Sequence, residues 1–134
     1  MLGGVPELAA FSLPDRIVCQ HDITPMGKVH VDNLVVIVDY NHIQLDGFVA
    51  DIMPLDPLAE KWRSFNWHVI EVDGHSIPEL QSAFAEAQAT KIKPTAIIAH
   101  TIKGKGVSFM ENNPKFHGTA PTADELKLAL QELQ

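Results

Sequence analysis

The chain has 134 residues, a net charge of −7, 46% hydrophobic and 20% charged residues. That length suits one ordinary domain with a packed core, and the mixture is globular rather than disordered. The acidity excludes a sequence-independent grip on nucleic acid, and no apolar run reaches the ~18 residues that a membrane-spanning helix needs.

Residues 1–32 read as an irregular leader. Pro6, Pro14, Pro25, Gly3, Gly4 and Gly27 interrupt any amphipathic period, so no regular element is expected there. The opening Met1 to Pro6 lacks the basic region and long apolar stretch of a secretory signal. Cys19 is the only cysteine, which rules out an internal disulfide and makes a reducing cytoplasm the expected compartment.

Regular structure is predicted from residue 33 onward. Asn33 to Asp39 is a continuous β-branched apolar run, the pattern of a strand buried on both faces. Asp56-Pro57 opens a helix as N-cap and first-turn proline, with Leu58, Trp62 and Phe65 at helical spacing. Trp62, Phe65 and Trp67 are expected to pack in the core. His68 to Val72 is a second strand. Ser76-Ile-Pro-Glu79 is a capping box before a helix whose apolar face holds Leu80, Ala83, Phe84 and Ala87. Thr95 to His100 is a third strand, followed by a long loop over 101–121. Thr122-Ala-Asp-Glu125 is another capping box, opening a helix with Leu126, Ala129, Leu130 and Leu133 on one face. Strands alternating with helices predict the α/β class: a parallel sheet with covering helices, the three strands adjacent and parallel.

Ligands of an open parallel sheet bind beyond the carboxyl ends of its strands. The loop Asp39-Tyr-Asn-His-Ile-Gln-Leu-Asp-Gly47 stands there with oxygen-bearing side chains that suit a hard cation. Taken alone, it reads more readily as an ordinary turn capped by Asn41 and Asp46. An EF-hand is excluded, because Ile43 and Gln44 stand where a carboxylate or amide and a glycine are required. The loop Thr101-Ile-Lys-Gly-Lys-Gly-Val107, running on to Phe116-His-Gly118, offers glycines for close backbone approach and Lys103 and Lys105 as cations. Those suit a phosphate or diphosphate, or else a solvated basic turn. It is neither a dinucleotide fingerprint nor a P-loop. Both loops are expected at one sheet edge, where a cation loop beside an anion loop suits a metal–diphosphate complex. His21, His30, His68, His75 and His100 show no zinc spacing. Asp39, Asp46 and Asp51 form either a carboxylate cluster or an acidic loop.

Taken together, Val35 to Gly47, Phe65 to His75, Lys93 to Val107 and Phe116-His-Gly118 resemble successive motifs of the transketolase family, in the family's order. The likeness covers residues 31–134 and is greatest to the amino-terminal subunit of transketolases made as two chains. It implies a partial thiamine-diphosphate-binding domain over 33–134, with thiamine diphosphate and Mg²⁺ or another divalent cation as cofactors. Asn41 matches the metal-coordinating asparagine, and Ile43 the residue whose backbone carbonyl is a second ligand. Lys103 and Gly104 match the cofactor loop. His117 matches a histidine near both the diphosphate and the reacting end of the substrate, a cofactor-binding and catalytic role. The implied reaction transfers a two-carbon ketol unit between sugar phosphates. The implied partner is a carboxy-terminal subunit or pyrimidine-binding domain in a homo- or hetero-oligomer, with neither nucleic acid nor membrane.

One departure bears on activity. The family's motif begins with Gly-Asp-Gly, whose aspartate is a principal metal ligand, and no Gly-Asp-Gly occurs here. Asp15, preceded by proline and without flanking glycines, does not replace it. An alternative start, a truncation or a shifted frame would each join a foreign leader to a faithful remainder. Two functions follow: a transketolase subunit or fragment inactive as an isolated chain, or a non-catalytic remnant or interaction module that keeps the fold. Loss of the strand and helix preceding residue 33 is expected to leave an unpaired strand edge or an uncovered apolar face.

Overall fold

A computed structural model describes residues 10–12, 31–45 and 47–134. In chain order the elements are β1 Ala10–Ser12, β2 Leu34–Tyr40, β3 Ile43–Gln44, β4 Gly47–Phe48, α1 Val49–Ile52, α2 Leu58–Ser64, β5 His68–Asp73, α3 Ile77–Ala89, β6 Thr95–His100 and α4 Ala123–Glu132, with a 3-10 turn Pro114–His117 before α4. They form two compact units: Met1–Asp39 with Asp56–His100, and Tyr40–Leu55 with Thr101–Gln134. The rest of the leader, including Asp15, Cys19, His21 and His30, and the turn residue Asp46 lie outside the described residues. No helix among the described residues is long and apolar enough to cross a membrane.

The first unit is an α/β layer structure. Its sheet has the order β1-β2-β6-β5. β5 and β6 pair in parallel, from His68 opposite Thr95 to Asp73 opposite His100. Alternation along the strands sends successive side chains to opposite faces. Ile97 and Ala99, with Val35, Ile37, Ile70 and Val72, meet Leu80, Ala83 and Ala87 of α3. Ala96, with Leu34, Val36, Val38 and Val69, meets Trp62 of α2 and Trp67. One run of each strand therefore faces each helix, as a two-sided parallel sheet requires.

Several expectations need correction. The strand buried on both faces is β6, whose Thr95 to Ala99 are all buried. β2 is mostly half-buried, because β6 and not β2 lies between two of the long strands. The edge of β2 is not open: Ala10, Phe11 and Ser12 of the leader pair with it in antiparallel register, opposite Val36, Val35 and Leu34. Pairing supplied by the rest of the sheet, not local periodicity, makes that short strand. Phe65 does not join the core, being 62% exposed, because α2 ends at Ser64. Phe84 is 41% exposed, leaving Leu80, Ala83 and Ala87 to face the sheet.

Helix starts follow the capping signals unevenly. At α4 the box is complete, with Thr122 accepting from the Glu125 amide and Glu125 accepting from the Thr122 amide. At α3 only half forms: Ser76 accepts from the Glu79 amide, while the Glu79 carboxylate takes the Asp73 amide at 2.9 Å. At α2 the N-cap is Pro57, one residue later than expected, with no side-chain cap bond.

The second unit holds the β3–β4 hairpin, with Ile43 opposite Phe48 and Gln44 opposite Gly47. It also contains α1, the long loop, the 3-10 turn and α4. Only Ala129 of α4 is buried; Leu126, Leu130 and Leu133, read from sequence as one apolar face, are exposed.

Candidate functional site

All the site residues singled out in the sequence, Asn41, Ile43, Lys103, Gly104 and His117, fall within the second unit. The unit begins where the Thr101 amide donates to the Tyr40 carbonyl at 3.4 Å. The loops that leave the carboxyl ends of β2 and β6 therefore start side by side.

The first loop is organised by an asparagine turn. Asn41 Oδ1 accepts from the Ile43 amide at 3.0 Å in a half-buried setting. This lets His42 take φ +61°, with its ring tilted against that of Tyr40 at 4.1 Å. The His42 carbonyl accepts from the Val49 amide at 2.8 Å. Hydrogen-bonded and non-bonded pairs alternate along an antiparallel ladder, so Ile43 directs its amide and carbonyl away from the hairpin. Its amide is taken by Asn41 and its carbonyl stays at the same edge. The donor set is two neutral oxygens, and an amide oxygen has a second lone pair to give. Those oxygens fit a share of the octahedral shell of Mg²⁺, which keeps several waters and takes phosphate oxygens for the rest. Among the described residues no three His, Cys, Asp or Glu side chains gather into a metal cluster, and the cluster read from Asp39, Asp46 and Asp51 includes Asp46, which lies outside them.

The second loop is a series of tight turns. The Lys105 amide donates to the Ile102 carbonyl at 3.2 Å and the Val107 amide to Gly104 at 3.1 Å. Met110 and Glu111 both donate to the Val107 carbonyl, and Asn112 donates back to Lys103 at 2.9 Å. Gly104 lies at φ +74°, and a Cβ there would meet the Met110 carbonyl oxygen at 2.6 Å. A Cβ on Gly106 would meet Leu133 at 3.1 Å. The glycines thus answer to the loop's own packing rather than to room for a ligand. Carboxylates hold two of its amides: Glu111 accepts from Gly106 at 3.0 Å, and Glu132 accepts from the Ser108 amide and hydroxyl. Among the described residues, the Lys103 and Gly104 amides and the Lys103 ammonium have no acceptor.

His117 ends the 3-10 turn and is exposed. Asn113 caps that turn, accepting from Lys115 at 3.1 Å and donating to Phe109 at 3.1 Å, and Phe116 meets Phe109 edge-on at 5.5 Å. The turn packs against β3. The fold therefore brings the Asn41–Ile43 oxygens and the His117 turn together. Lys103 and Gly104 share the unit, joined to that turn through Val107–Asn113. The clasping residues Met110, Glu111 and Glu132 escaped sequence reading. Nothing in a lone glutamate 24 residues after Ser108 announces their bond.

A family model described as "Transketolase, thiamine diphosphate binding domain" matches residues 18–134, starting inside the stretch read as leader. The chain is 43% identical over 108 residues to the 6-deoxy-6-sulfo-D-fructose transketolase subunit SqwG of Clostridium sp. strain MSTE9, covering 81% of this chain and 39% of that one. It is 37% identical over 103 residues to the Homo sapiens transketolase, covering 77% of this chain and 16% of that one. Among solved structures it is similar to transketolase from Leishmania mexicana, with a TM-score of 0.73 and 29% identity over 87% of this chain and 18% of that one. The chain spans about two-fifths of the length of the first curated relatives it matches, at 39%, 38% and 39%.

Proposed function

Because this chain belongs to the transketolase family, through its thiamine-diphosphate-binding domain, we infer that it forms the diphosphate-holding part of an assembly that moves two-carbon ketol units between sugar phosphates. The observation that carries this reading is the packing of β3 against the 3-10 turn ending in His117, within the unit that also holds Lys103. Asn41 Oδ1 and the Ile43 carbonyl would hold a divalent cation as neutral oxygen ligands. The Lys103 ammonium and the Lys103 and Gly104 amides would meet the diphosphate charge, which backbone amides and a cation satisfy together. His117, exposed at the end of its 3-10 turn, would present its ring nitrogens as hydrogen-bonding groups toward the reacting end of the sugar. When bound, thiamine diphosphate supplies the nucleophilic carbon and the electron sink. Relatives whose names call them subunits support a partner chain for this one.

Calorimetry with thiamine diphosphate and Mg²⁺ tests the reading. Two neutral ligands do little to displace the tightly held waters of Mg²⁺, so the chain alone should bind weakly and the assembly with its complementary subunit tightly. Asn41→Ala should remove the metal dependence of binding. If the assembly binds no cofactor either, the reading fails. The exposed leucines of α4 would then favour a non-catalytic interaction module.

A further inference from the structure

We propose that Glu132, in the last turn of α4, is a positioning residue that sets the placement of Lys103, Gly104 and the His117 turn. The contacts run in one direction through the second unit. Both carboxylate oxygens of Glu132 are used on Ser108: Oε2 accepts from its amide at 2.5 Å and Oε1 from its hydroxyl at 2.7 Å. Ser108 opens the single turn closed by the Met110 and Glu111 amides on the Val107 carbonyl. The first amides of such a turn lack partners within it, and a carboxylate satisfies one with a charge-assisted bond. The same turn holds Lys103 through the Asn112 amide at 2.9 Å. It also fills the space beside Gly104 with the Met110 backbone. Toward the other side, Phe109 accepts from Asn113 and meets Phe116 edge-on, so it fixes the 3-10 turn that carries His117. Leu133 closes on Gly106 from the same end of α4. The Ser108 hydroxyl, and then its amide, hold the Glu132 carboxyl below its ordinary range, as expected for a bond that needs the anion.

The use of this clasp rests on the diphosphate reading above, and its existence does not. Amide exchange on the full chain by NMR tests it, with the Asn112 amide reporting the tie to Lys103 and α3 serving as a control. Glu132→Ala should speed Asn112 exchange about tenfold, the scale of losing one charge-assisted bond, and leave α3 unchanged. Glu132→Gln, keeping one acceptor oxygen, should restore part of the protection. Ser108→Ala should add little in the Glu132→Ala background, because both act through one contact. Unchanged Asn112 exchange in Glu132→Ala overturns the proposal, and so does parallel loss of protection in α3. A second arm titrates inorganic diphosphate with Mg²⁺ and follows the Lys103 and Gly104 amide shifts. These should saturate at higher concentration in Glu132→Ala than in the parent, and equal saturation also overturns the proposal. If the parent shows no shift at these amides, the diphosphate reading falls, while the exchange result still decides whether the clasp exists.

Discussion

At Gly104 two constraints coincide: φ is +74°, and a Cβ would lie 2.6 Å from the Met110 carbonyl oxygen. A left-handed backbone alone costs an L-residue roughly 1–2 kcal/mol, and the clash adds to it. Gly104→Ala should therefore lower stability by about 2 kcal/mol or more, read as a drop in Tm, because backbone on both sides cannot easily yield. Ile92 shows the opposite case. It sits at φ +76° with a β-branched side chain and is 66% exposed, so little burial offsets its strain. Ile92→Gly should raise stability by about 1 kcal/mol in urea unfolding. A lower midpoint would show that the Asp32 contact to its amide at 3.4 Å depends on the isoleucine.

The helix that clasps the loop is anchored by carboxylates at both ends. Glu125 is held below its ordinary range, first by the Thr122 amide and then by the Thr122 hydroxyl. Glu132 is held low by Ser108. A carboxylate with a depressed folded pKa contributes fully above its ordinary value of 4.5, and the contribution is lost as pH falls through the lower folded value. Between pH 6 and 3, α4 should therefore loosen below about pH 4.5, at both ends and ahead of α3, in residue-resolved amide exchange. At neutral pH, Thr122→Ala should cost about 1 kcal/mol, the usual scale of losing a cap, and expose the first-turn amides of α4. Equal exchange in the variant would show that tertiary contacts, not the cap, fix the start of the helix.

The molecule as a whole carries apolar surface that its own fold leaves uncovered. Leu126 and Leu130 of α4 and Leu133 at its carboxyl cap lie at i, i+4 and i+7 and are all exposed. A contiguous apolar stripe of this kind marks a contact site or an association hazard. On size-exclusion chromatography the chain should elute as a concentration-dependent oligomer. Leu126→Glu with Leu130→Glu should shift it to monomer with unchanged helical circular dichroism. A parent chain that stays monomeric at every concentration would remove this surface from consideration.

Local patterns in the sequence were enough for the α/β class, the limits of β6 and the complete capping box at Thr122. Each depends on residues within a few positions of one another: a period of two, a period of 3.6, or a side chain reaching three residues along. The ordered motifs around Asn41, Lys103 and His117 also sufficed to reach the family. Tertiary structure alone decided which strand is buried on both faces, because that depends on the order β1-β2-β6-β5 and not on how apolar a run is. It recruited Ala10–Ser12 to the open edge of β2, since a strand's unpaired backbone groups accept any extended segment that reaches them. It left Phe65 and the α4 leucines exposed although their spacing is that of a core face, because periodicity names a face but not what lies against it. It also gave the glycines of the second loop their reason, in Met110 and Leu133, and joined Glu132 to Ser108. Contacts between residues distant along the chain leave no local period to read, so only the folded backbone brings them into view.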